Sequence, residues 1–162
     1  MIGRRLRLTD LRAVARGAVS HALALLLGRY RRTVGALALI RDDEGRILVA
    51  LTTYPPRIWN LPGGRIEIPE RVTDGLRREV REETGLQVSV ERLLVVDATH
   101  KAGVSFVFRC RVTGGEAAPG AGEIRALRWL DPGETGRLAR RVRVTLEAAL
   151  AADAEGSVRY RG

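Results

Sequence analysis

Gly63-Gly-Arg-Ile-Glu-Ile-Pro-Glu-Arg-Val-Thr-Asp-Gly-Leu-Arg-Arg-Glu-Val-Arg-Glu-Glu-Thr-Gly-Leu86 is the stretch on which the reading of this chain turns. Its second half, Arg71 to Thr84, reads as one helix, closed by Gly85 where glycine commonly ends helices in a left-handed conformation. On that helix Glu79, Glu82 and Glu83 stand at i, i+3 and i+4, so three carboxylates crowd one face. Like charges that close oppose helix formation unless a cation compensates them. Two readings are open. One is a solvated charged face with Arg78 and Arg81 as counter-charges. The other is a site for hard divalent cations, which prefer carboxylate oxygens and share their coordination with water and phosphate.

Upstream, Trp59-Asn-Leu-Pro-Gly-Gly64 leads into this stretch, and Tyr54-Pro-Pro-Arg57 is a loop, because proline removes donors and turns the preceding residue away from helix. Val34–Ile40 and Arg46–Thr52 are apolar runs separated by the turn Asp42-Asp-Glu-Gly45, the pattern of a β-hairpin. Downstream, strands are expected near Gln87–Asp97, Val104–Val112 and Ile124–Leu130. In the middle one Phe106, Phe108, Cys110 and Val112 face one way, while Ser105, Val107, Arg109 and Arg111 face the other. Cys110 is then a core residue rather than a nucleophile. A last helix, about Arg137 to Ala151, carries Leu138, Val142, Leu146 and Leu150 on one stripe, and Asp153–Gly162 is expected to be a flexible, frayed tail. Strands around a central helix, with a second helix at the end, make an α+β chain, a mixed α/β sandwich.

The chain has 162 residues, room for one ordinary domain with a proper core. Its 45% hydrophobic and 29% charged residues fit neither disorder nor a membrane-embedded protein. One cysteine excludes an internal disulfide framework and cysteine-clustered zinc, and points to a reducing, cytoplasmic compartment. The net charge of +9 is unevenly spread: residues 1–32 carry eight arginines and one acid, +7, and the remainder only +2. Residues 1–32 read as a basic amphipathic helix, with Thr9 or Asp10 as cap and Leu11, Val14, Ala18, Ala22 and Leu25 as its stripe. Its apolar run, Ala22 to Leu27, is far below the roughly 20 residues of a membrane span, and Gly28-Arg-Tyr-Arg-Arg32 stands where a signal cleavage site should lie. Docking of the stripe within a homodimer is the expectation for this helix; a membrane surface is the weaker alternative. The stripe and the lack of interleaved aromatics argue against specific nucleic-acid binding.

The quoted stretch resembles the signature of the Nudix hydrolase family, G-x5-E-x7-R-E-U-x-E-E-x-G-U with U aliphatic: Gly64, Glu70, Arg78, Glu79, Val80, Glu82, Glu83, Gly85 and Leu86 fill every specified position. The resemblance covers residues 33–152, with the helix of residues 1–32 outside it and the tail of 153–162 beyond it. It implies a Nudix-like fold with a mixed sheet around the signature helix. It implies Mg2+ or Mn2+ as cofactor, held by Glu79, Glu82, Glu83 and the carbonyl of Gly63. Glu70 and Arg78 match residues that orient the helix and loop. Arg65, after the two glycines, is either a contact to a substrate phosphate or a solvated arginine, and Glu116 and Glu123 are the candidates for a further ligand or base from a later loop. Two departures stand out: Pro69 and Gly75 replace the more usual glycine and alanine.

The activity implied is metal-dependent attack of water on a diphosphate bond in a nucleoside diphosphate linked to another group. The alternative is a non-catalytic nucleotide-binding or sensing module on the same fold, in which eroded carboxylates are expected; here all three are present. Trp59 leads Tyr54, Trp129 and Phe106 as the residue to stack a base, with core packing as the competing role. His100 and Lys101 are loop residues for which phosphate contact is the alternative to simple solvation, the commoner role of such residues. The region Thr99–Ser105 lacks the proline or tyrosine found in subfamilies acting on ADP-ribose or dinucleoside polyphosphates.

Overall fold

In the computed structural model the residues described are 33–99, 103–120 and 122–162. The helix expected over residues 1–32, and the loop residues His100 and Lys101, lie outside them. Eight strands and two α-helices follow in the order β1 (Thr33–Ile40), β2 (Ile47–Thr52), β3 (Trp59–Asn60), β4 (Gly63–Arg65), α1 (Val72–Thr84), β5 (Leu86–Asp97), β6 (Gly103–Gly115), β7 (Ile124–Leu130), a 3-10 turn (Pro132–Arg137), α2 (Arg140–Glu155) and β8 (Arg159–Arg161).

They form a five-stranded mixed sheet, β4-β1-β6-β5-β8, and a three-stranded sheet, β3-β2-β7. Strand β1 pairs antiparallel with β4 and parallel with β6. Its apolar run is buried on both faces. Ala36, Ala38 and Ile40 join Leu76 and Val80 of α1 in one core, whereas Leu39 joins Val142, Leu146, Ala149 and Ala152 of α2 in the other. The two helices therefore cover opposite faces. Strand β6 follows the expected alternation, with Cys110 in the α1 core and Val107 in the α2 core. Burial pushes the Cys110 thiol up to about 12, so it is an inert core residue.

The expected hairpin is corrected. Strands β1 and β2 meet at one bridge, Arg41 to Ile47, and then enter different sheets. Because β1 takes β4 on one edge and β6 on the other, no edge remains for β2. The turn itself is as expected, closed by Asp42, which accepts from the Arg46 backbone N–H at 2.8 Å and from its guanidinium at 2.7 Å. The last helix also begins later than expected, after a 3-10 turn, and runs to Glu155.

The tail is corrected as well. Gly156 ends α2 in a left-handed conformation, and the chain returns as β8, parallel to β5 with Val95 opposite Arg159 and Asp97 opposite Arg161. Charge fixes this end. The Asp153 carboxylate, only 6% exposed, takes Arg92 at 2.9 Å, Arg109 at 3.2 Å and Arg41 at 3.6 Å, tying α2 to β5, β6 and the β1–β2 turn. An aspartate amid three guanidiniums leaves uncompensated cations when removed. Asp153→Ala is expected to lower stability by about 2 kcal/mol, less than for a fully buried pair because the arginines are partly exposed. Urea denaturation measures it, and an unchanged midpoint would show that the cluster contributes nothing net.

Candidate active site

Helix α1 starts at Val72 without a side-chain cap and ends on Gly85, whose N–H bonds the Arg81 carbonyl. Leu76, Val80 and Thr84 are buried, Glu79 and Glu83 are half-buried at the edge of that face, and Glu82 is exposed. Arg78 sits among them. Its Nη2 and Nε donate to the two oxygens of Glu70 at 2.8 and 3.2 Å, a bidentate fork. Its Nη1 donates to Glu79 at 2.9 Å and to Glu82 at 3.2 Å, and Nη2 also reaches the Arg65 carbonyl at 3.4 Å. Glu70 additionally accepts the Glu67 N–H at 2.7 Å. The Arg78 bonds, then that N–H, hold the Glu70 carboxyl below its usual range.

Glu79 and Glu83 behave oppositely. Burial raises Glu79 despite Arg78, with the charges of Glu82 and Glu123 adding to the shift. Burial pushes Glu83 up to about 7; the Gly63 N–H, at 2.8 Å, opposes this, while Glu79, Glu123 and Glu82 reinforce it. The carboxylates are thus gathered more closely than their own electrostatics favour.

They line a cleft of about 440 Å³ formed by Glu67, Arg78, Glu79, Glu82, Glu83, Gly120, Glu123 and Ile124. Five carboxylates face one guanidinium. Two glycines make the packing feasible. A Cβ on Gly64 would lie 2.6 Å from a Glu79 oxygen, and one on Gly75 would lie 2.6 Å from a Glu70 oxygen. Gly75 is therefore the space into which Glu70 tucks to reach Arg78.

The loop before β7 runs across the C-terminal end of α1, where helix carbonyls lack partners. Ala118 donates to the Thr84 carbonyl at 2.9 Å and Gly120 to the Glu83 carbonyl at 2.8 Å. Of the two late-loop candidates, this route delivers Glu123 to the cleft and leaves Glu116 exposed outside it. Glu67 and Gly120 are cleft residues that the sequence reading missed; an acid three residues before Glu70 was the available signal.

Arg65 is exposed and lines a second cleft, of about 380 Å³, together with Gly63 and Gly64. The Gly63 N–H is placed on Glu83. Trp59 is half-buried against the α2 core and Trp129 against the α1 core, and Phe106 packs beside Phe108 with ring centroids 6.4 Å apart. No aromatic side chain lines either cleft among the described residues.

The donor set suits a hard cation: carboxylates in excess, two of them raised by burial and by the neighbouring acids. Among the described residues no three such groups stand in a ready-made cage. Arg78 occupies oxygens of Glu79 and Glu82.

A family model described as the NUDIX domain matches residues 29–150. The chain belongs to the Nudix hydrolase family. It is 37% identical over 103 residues to a MutT-like protein of Streptomyces ambofaciens, an alignment covering 63% of this chain and 66% of that protein. It is 47% identical over 80 residues to the human 8-oxo-dGDP phosphatase NUDT18, covering 49% of this chain and 25% of that one, so it spans only a quarter of the human relative. The fold matches the crystal structure of an ADP-ribose pyrophosphatase from Streptococcus suis with a TM-score of 0.65 at 25% identity, over 80% of this chain and 97% of that one. A mixed five-stranded sheet and an antiparallel three-stranded sheet, with helices, are thus the Nudix architecture anticipated from the signature.

Neutralising the most strained carboxylate has a testable sign. A carboxyl raised from 4.5 to about 7 loses stabilisation as pH climbs through that interval. Metal-free Glu83→Gln, whose amide oxygen still accepts the Gly63 N–H, is expected to melt with wild type at acid pH and above it at alkaline pH. Differential scanning calorimetry at both ends checks this. A lower melting temperature for the variant at alkaline pH would overturn the electrostatic account.

Proposed function

We propose that this Nudix chain hydrolyses a diphosphate bond in a nucleoside diphosphate linked to another group, in a reaction that depends on a divalent cation, Mg2+ or Mn2+. The observation that carries the reading is the convergence of Glu79, Glu82, Glu83, Glu67 and Glu123 on one cleft with Arg78 as its sole guanidinium. Glu79, Glu82 and Glu83, with the Gly63 carbonyl, would hold the cation. Bound there, it neutralises phosphate charge and lowers the pKa of a bound water. The protein's own part is positioning and proton transfer. Arg78 and Glu70 fix the carboxylates, and a cleft glutamate takes the proton from the attacking water. Relatives named for 8-oxo-dGDP and ADP-ribose support a nucleotide substrate.

A phosphate-release screen over nucleoside triphosphates, nucleotide sugars and dinucleotides tests the activity. Turnover is expected with Mg2+ or Mn2+ and is expected to vanish with chelator or in Glu83→Gln. Turnover surviving both would sink the assignment. Arg78→Lys keeps the charge but loses the fork, and kcat should fall about tenfold or more. Full activity in that variant would reduce Arg78 to a surface counter-charge.

For residues 1–32 the reading is docking within a homodimer of a cytoplasmic protein. Among the described residues no helix is long and apolar enough to cross a membrane. Deleting residues 1–32 is expected to turn a dimer into a monomer or an aggregate, read by light scattering with an anionic-vesicle control. A truncated protein that stays dimeric and soluble refutes the docking.

A further inference from the structure

The second cleft has the opposite electrostatic character from the first. Three guanidiniums, Arg65, Arg141 and Arg161, line it against one carboxylate, Asp97. That carboxylate is already engaged. Burial acts against its charge, but the hydroxyl and N–H of Thr99, the Thr145 hydroxyl and Arg161 outweigh it and hold Asp97 below the usual range. Arg161 spends only one nitrogen on this network: Nη1 donates to Asp97 at 2.6 Å and to Thr145 at 2.7 Å. Its Nε and Nη2 have no partner among the described residues, nor do the side chains of Arg65 and Arg141 have a carboxylate there. The Arg161 backbone is equally fixed, by pairing of β8 on β5 and by the Ala98 N–H on its carbonyl at 2.7 Å. A guanidinium held still, with spare donors toward a cleft, is preorganised for an oxyanion. Arg141 adds to this, since a cation in the first turn of α2 opposes the helix dipole and is not there for helix stability.

We propose that this cleft is an anion-receiving subsite, in which Arg161 of the C-terminal strand, with Arg141 and Arg65, takes a phosphate group that lies outside the scissile diphosphate. The inference rests on the diphosphate hydrolase reading and narrows it to substrates carrying a further phosphate. Strand β4 supports the division: the Gly63 N–H binds Glu83 of the acidic cleft, while Gly63, Gly64 and Arg65 line the basic one. A substrate whose diphosphate lay in the acidic cleft would have the arginines beyond β4 for its next phosphate. Arg161 is in this sense a specificity-determining residue.

Two measurements test it. In the metal-free protein the acidic cleft repels anions, so calorimetric titration with inorganic pyrophosphate reports the basic one. Wild type and Glu83→Gln are expected to bind. Arg161→Gln and Arg141→Gln should each weaken binding about tenfold or more, and Arg161→Lys should recover part of the loss. Since Arg161 also bonds Asp97, Arg141→Gln, which breaks no ion pair among the described residues, guards against a folding artefact. In turnover, the paired substrates are a nucleoside triphosphate against its diphosphate, and a dinucleotide with against without a ribose 2′-phosphate. Whichever pair reveals the preference identifies where the extra phosphate sits. Arg161→Gln should raise KM for the more phosphorylated member about tenfold while leaving kcat, and KM for the other, within about twofold. No pyrophosphate binding by wild type, or binding indifferent to both arginine variants, overturns the subsite. Binding that obeys the prediction in a protein without turnover on any substrate overturns the hydrolase reading instead.

Discussion

The Arg78 guanidinium bonds Glu70, Glu79, Glu82 and the Arg65 carbonyl at once, and the acidic cleft depends on that arrangement. A planar fork with fixed donors sets directions as well as charge, which an ammonium on a flexible stem does not. Glu70 sits at the back of the fork and keeps the guanidinium from following the helix carboxylates into solvent. Glu79 and Glu82, at the front, are brought within bonding distance of one nitrogen although their charges repel. Glu83, outside the fork, accepts the Gly63 N–H, and burial together with the neighbouring acids raises its carboxyl against that bond. The site stores unfavourable electrostatics that the proposed cation would relieve.

That concentration is tolerable because the surrounding backbone is built close. Gly64 and Gly75 leave space for the Glu79 and Glu70 carboxylates, so neither acid has to be held on a strained rotamer. Gly120 lies against the Glu82 carbonyl, where a side chain has no room, and the loop it belongs to partners the last carbonyls of α1. Reading Gly75 as mere loss of helix propensity, about 1 kcal/mol against alanine, misses its role. The helix gives up a little local stability at Gly75 so that Glu70 can pack against it.

Local signals in the sequence were enough for α1. The glycine stop, the apolar positions Leu76 and Val80 and the carboxylate spacing are all set within a few residues, and each recurs in the structure. Cys110 was legible for the same reason, since strand alternation is local. What escaped depends on pairing across distance. Asp42–Gly45 announces a turn, but the sheets that β1 and β2 enter are decided by β4 and β6, remote in the chain. The charged end of the chain reads as solvated until Arg161 is seen beside Asp97, 64 residues away. Glu116 and Glu123 are indistinguishable as sequence. Their difference arises from Ala118 and Gly120 bonding α1, which fixes the path of the loop.

Net charge, for the same reason, is a poor guide to where this protein meets anions. Residues 33–162 are nearly neutral in sum, yet the fold sorts them into a cleft of five carboxylates and a cleft of three guanidiniums on either side of β4. Opposite fields that close act on a phosphate chain directionally. Without a cation the acidic side repels a phosphate and the basic side attracts it; with the proposed cation both sides would attract, through different chemistry. Orientation then follows from the wall between them. Arg78 pairs with Glu79 and Glu82 but leaves the acidic cleft with carboxylates in excess, a balance that the proposed cation would complete.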